Sequence, residues 1–174
     1  MTRQPALIAC LALAASLSPL PALANPTNPA ESSSFYGNVR NWLIEVLQQD
    51  GLFVGCRGTI PLQAAGPLLI ERRGDMLDGW AMYVPTEQAP STAYGASVSG
   101  HFAVDAERIP VGFEIYRGGW AEVSLTGEMR QQMMDGNYVT TAPEGEEERQ
   151  WILNGSTAAL EVLEECYARQ GANW

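Results

Sequence analysis

Two cysteines separated by most of the chain, Cys56 and Cys166, set the strongest limit on what this sequence can fold into. The third, Cys10, lies in an N-terminal segment with the marks of a cleaved secretory signal. These are Arg3, an apolar run over residues 6–17 that is too short for a ~30 Å bilayer, and Ala22-Leu23-Ala24 before Asn25. Removal after Ala24 takes Cys10 with it and leaves an even pair in an oxidising compartment, where a disulfide is expected. Two buried thiols or an intermolecular bridge are the alternatives. Closing a loop of about 100 residues is worth ~4.7 kcal/mol in the chain-entropy account, a large share of one domain's stability. Asn25, not a cysteine, follows the cleavage site, so no lipid anchor is indicated. The mature chain is expected to be periplasmic or secreted, with no transmembrane segment.

Cleavage leaves 150 of the 174 residues, the size of one domain, here residues 35–174 after a signal (1–24) and a flexible leader (25–34) that carries no hydrophobic period. Nine arginines against 20 acids remain and lysine is absent, which disfavours nucleic acid and anionic membranes as partners and removes Schiff-base and P-loop chemistry.

Short strand signals then recur about every ten residues. Trp42, Ile44 and Val46 alternate around Glu45; Gln48-Gln49-Asp50-Gly51 turns the chain; residues 52–58 return with Val54 and Cys56 on one face. A second pair covers 68–73 and 80–84, a Pro-, Ser- and Ala-rich loop covers 86–95, and further strands cover 97–104, 111–116, 120–125 and 137–141. Thr126 caps a short helix over 127–135 that Gly136 ends. Residues 144–148 read as an acidic, solvated loop without the Asp-rich, Gly-spaced pattern of a calcium loop. Ser156 or Thr157 caps a last helix whose Ala159, Val162, Leu163 and Cys166 share a face. The pattern predicts a mainly β fold, an antiparallel sandwich or flattened barrel with a C-terminal helix packed on the sheet.

Residues 104–141 together with 151–163 resemble the C-terminal half of the invasion-associated locus B family of bacterial secreted or envelope proteins. The residues that carry this are Asp105, Pro110, the strand entered at Gly119, Leu125-Thr126 opening a helix, Gly136 ending it, and Leu153, Gly155, Ala159 and Leu160 before the last helix. The hairpin from Trp42 to Cys56 is also similar. Gly119-Trp120 stands where that family carries Gly-Cys, Glu45 and Val46 stand where it has an early cysteine, and Cys166 is outside its pattern. The resemblance implies a common fold and no catalytic activity.

Catalytic chemistry is poorly supplied. His101 is the sole histidine, the two cysteines are assigned to each other, and no serine lies in a Gly-x-Ser-x-Gly elbow. No enzyme, metal or cofactor is expected. A binding protein is the better class, its partner another protein of the envelope or of a host surface, with Trp80, Arg117 and Trp120 as anchors beside glycines. The alternative is an inhibitor of an extracytoplasmic hydrolase, a lysozyme or protease, acting through the 86–95 loop.

Overall fold

A computed structural model describes residues 30–172 apart from 62, 76–78, 89–94 and 117. The signal segment, Arg117 and most of the 86–95 loop therefore lie outside the described residues. Ten strands and two helices follow in order: β1 (Glu31–Val39), β2 (Trp42–Gln49), β3 (Leu52–Ile60), β4 (Leu68–Arg73), β5 (Trp80–Pro85), β6 (Ser97–Val104), β7 (Glu107–Tyr116), β8 (Trp120–Ser124), α1 (Gly127–Asp135), β9 (Tyr138–Pro143), β10 (Arg149–Ile152) and α2 (Ser156–Ala168).

All ten strands belong to one antiparallel sheet, in the order β1-β2-β3-β4-β5-β8-β7-β6-β9-β10. The expected mainly β fold with a C-terminal helix on the sheet is present; its antiparallel strands form a single sheet that is not closed, with β1 and β10 as its edges. The sheet curls until its last hairpin meets the β3–β4 loop, where Trp151 Nε1 donates to Gly66 O at 2.9 Å. Strands β2 to β10 and both helices contribute to one apolar cluster inside the curl, including Trp42, Met82, Phe102, Phe113 and Trp151.

Local chemistry explains the elements. Between β2 and β3, Asp50 and Gly51 have φ of 53° and 78°, the paired left-handed conformation that matches the twist of a two-residue hairpin and that aspartate and glycine tolerate. The alternation of Trp42, Ile44 and Val46 places all three in the core. Val46 and Cys56 are cross-strand partners, and Cys56 is disulfide-bonded to Cys166 on α2, with Cα atoms 6.2 Å apart. The bond fastens the last helix to the third strand, beside the half of the sheet that ends in β1.

Two expectations change. Glu31 to Ser34, assigned above to a flexible leader, form the start of β1; their side chains carry no period, but the backbone pairs with β2 from Glu31↔Gln49 onward. The helix caps also differ. Thr126 accepts from Met129 N at 3.2 Å, as expected for α1. Helix α2, however, begins at Gly155 without a side-chain cap, because Ser156 Oγ and Thr157 Oγ1 donate instead to Met133 O and Met134 O, each at 2.7 Å. These hydroxyls satisfy carbonyls in the last turn of α1 and join the two helices end to start.

Candidate interaction surface

The aromatic residues singled out by the sequence lie in packed positions. Trp80 and Trp120 are each 5% exposed. Trp80 is flanked by the Arg130 guanidinium at 5.0 Å and that of Arg72 at 5.7 Å from the ring centre. Arg72 also stacks on Tyr167 at 4.1 Å, binds Glu164 and donates to Gly79 O, so it ties the end of β4 and the start of β5 to α2. Trp120 packs with Leu69, Ala81 and Tyr83 in a small cluster on the other face of the sheet. Both tryptophans therefore hold the fold together, and the anchor role expected of exposed residues does not apply to them.

The acidic stretch at 144–148 is more than a solvated loop. Glu146 accepts from Thr86 Oγ1 and from Glu87 N, and Gln88 Nε2 donates to Glu144 O, so the described start of the β5–β6 loop is held against the β9–β10 turn. His101 Nε2 lies 3.0 Å from Glu148, which also pairs with Arg108.

Charge is buried on the outer face. Cross-strand partners Arg57 and Glu71 form a direct ion pair, and Arg73 reaches Glu71, Glu31 and Asp75. Gly55 makes this possible: a Cβ there would come within 2.8 Å of Arg73 Cγ, so only glycine lets that side chain cross towards β1. Burial raises the pKa of Glu71, against the opposing pull of Arg57 and Arg73. Burial also works against the Arg73 charge, but Asp75, Glu71 and Glu31 outweigh it and hold the guanidinium charged. The hydrogen bond from Arg73 pulls Asp75 below the usual carboxylate range. Such a cluster adds little net stability, because the cost of desolvating the charges offsets their attraction. Nearby, Glu122 is pushed up by burial, partly offset by the Tyr83 and Tyr116 hydroxyls, and its cross-strand partner is a second carboxylate, Glu114.

The unsatisfied backbone of a sheet collects at its edges, and here the two edges differ. Strand β10 has four residues. Its outward-facing Ile152 is capped by the Gln63 amide, which accepts from Ile152 N at 2.8 Å and donates to Ile152 O at 3.1 Å, much as a neighbouring strand would. Beside the rest of β10 lies a cleft of about 660 Å³ walled by Ala64, Ala65, Pro67 and Pro85. Strand β1 has nine residues and, among the described residues, pairs only with β2. From Ser32 to Val39 it carries no charge and no proline, and Phe35 at its middle is 60% exposed. Leu52, the first residue of β3, is 72% exposed. Phe35 escaped the sequence reading because it follows three serines and belongs to no alternating pattern; the available signal was the absence of any charged residue over the length of a strand.

The class defined by this geometry is a disulfide-tethered, mainly β domain built on one open ten-stranded sheet. No family model matches the chain, and no curated protein matches it. A solved structure, that of invasion associated protein b from Bartonella henselae, is similar at 18% identity and a TM-score of 0.38, over 77% of this chain and 96% of that one.

Proposed function

We propose that this protein is a non-enzymatic binding domain working outside the cytoplasm, in the periplasm or after secretion, and that it engages another protein of the envelope or of a host surface through the β1 edge. The observation that carries the reading is the uncharged backbone of β1 around exposed Phe35, which no other strand covers among the described residues. Long edges without lysine, proline or cover invite strand addition, and natural monomers ordinarily block them. The disulfide and the signal-like N-terminus support the compartment, since such bonds persist in oxidising surroundings. Among the described residues no helix is long and apolar enough to cross a membrane. The engagement of the two cysteines with each other supports a role without thiol catalysis. The resemblance of residues 104–163 to secreted or envelope proteins agrees with this setting.

The test is capture from envelope and culture-supernatant fractions with wild-type protein and the Phe35→Lys variant. A specific protein retained by wild type should be reduced at least tenfold by the variant, because a lysine on an edge blocks pairing while leaving the core untouched. Undiminished capture by Phe35→Lys would place the interface elsewhere.

A further inference from the structure

The edge also carries information about what it accepts. We infer that its occupant is an extended segment of a partner polypeptide, apolar where it crosses Phe35 and cationic on either side, added to the sheet beyond β1. This rests on the reading of the β1 edge given above.

Three observations lead to that chemistry. The outer edge from Ser32 to Val39 offers main-chain donors and acceptors, which an extended strand satisfies and a helix does not. Phe35 provides the only large apolar side chain exposed on the edge strand itself, so one apolar guest residue has a surface to cover. Register in β1 shifts between Phe35 and Gly37, a break that divides the edge and leaves Phe35 at the end of its first regular stretch.

Charge selects the flanks. Over residues 31–51 the charged side chains are Glu31, Arg40, Glu45 and Asp50. Glu31 is committed to Arg73, with its side chain fully buried, which leaves two carboxylates against one guanidinium around the edge. Glu45 is the direct cross-strand partner of Phe35, one strand in from the guest and within a Debye length of about 8–10 Å. The whole chain carries a formal net charge of −10, so it draws in a cationic segment and repels a second copy of itself. A second copy would bring the same net negative charge, which is why a different polypeptide is the favoured occupant.

Synthetic peptides of about eight residues, the length of an ordinary strand, provide the probe. One alternates lysine and valine, a second replaces every lysine by glutamate, and a third carries two central prolines in the lysine–valine pattern. Titrated against the protein and followed by backbone amide resonances, the lysine–valine peptide is expected to move residues 32–39. It should bind at least tenfold more tightly than the glutamate peptide and weaken as salt is raised. The proline peptide should not bind. Phe35→Leu should retain binding, and Phe35→Lys should lose at least tenfold; at 60% exposure neither change threatens folding. Equal affinity for the two charged peptides, resonance changes centred away from β1, or concentration-dependent changes at 32–39 without peptide each overturn the inference, the last because it identifies a second copy as the occupant. If Phe35→Lys abolishes partner capture while the peptides show no charge preference, the edge remains the interface and only the cationic assignment falls. If capture and peptide binding are both insensitive to Phe35, both fall.

Discussion

Strands β1 and β10 hold equivalent places, each the last strand on its side of one sheet, yet their edges are chemically opposite. The β10 edge is four residues long, begins with Arg149, and has the exposed main chain of Ile152 matched by the Gln63 amide. That of β1 is more than twice as long, carries no charge beyond Glu31, and has no cap on its outer side from Ser32 to Val39 among the described residues. The first is built to stop a sheet, and the second leaves room to extend it. The neighbourhoods agree with that division. The β9–β10 hairpin is pinned by Trp151 to Gly66, by Arg149 to Pro85 O and by Glu146 to the β5–β6 loop. The β1–β2 hairpin is held at its base by the Glu31–Arg73 pair, while Phe35 stands in solvent.

The largest expected effect comes from the covalent tie. Replacing Cys56 and Cys166 by alanine should cost about 2–5 kcal/mol, because the bond closes a loop of most of the chain. The loss should be uneven: amide exchange should quicken in β2, β3 and α2 before it does in β9 and β10. Equal loosening of both hairpins would show that the two halves of the sheet do not differ in how they are held. Next in size is Gln63→Ala, which removes both bonds to Ile152. At about 0.5–1.5 kcal/mol per bond, the Ile152 amide should exchange roughly tenfold faster, with little change at β1. Unchanged exchange at Ile152 would mean that the cap contributes nothing and that the β10 edge is blunted by its shortness alone.

The smallest effect concerns pH and the face the two edges share. Burial raises the pKa of Glu122, so the fold favours its protonated form. That contribution is fully present below the ordinary glutamate range and is lost as pH rises through the raised value. Glu122→Gln keeps the neutral form at every pH, so its Tm should exceed that of wild type at about pH 8 and approach it near pH 4. A difference that stays constant over this range would mean that Glu122 ionises as an ordinary glutamate. Binding at the β1 edge should be indifferent to the change.

Much of the architecture was legible before the structure. The two-residue period of Trp42, Ile44 and Val46, the Asp50-Gly51 turn, the Thr126 cap and the inward positions of Cys56 and Cys166 follow from side-chain chemistry alone. Strand β1 did not, because Ser32 to Ser34 have no preference that separates strand from leader; pairing with β2 imposes their conformation. The buried ion cluster was equally hidden, since Arg57 meets Glu71 only through the register of β3 on β4. Trp80 and Trp120 looked like anchors because glycines precede them at strand starts. Their burial depends on Arg72 and Arg130 for the first and on Leu69, Ala81 and Tyr83 for the second, all contributed from other parts of the chain.

Amide exchange of the protein, alone and with its captured partner, tests the difference between the edges most directly. Protection gained at residues 32–39, with residues 149–152 unchanged, is the predicted result. Protection gained at 149–152, or at neither edge while the partner remains bound, would contradict the assignment of β1 as the binding edge.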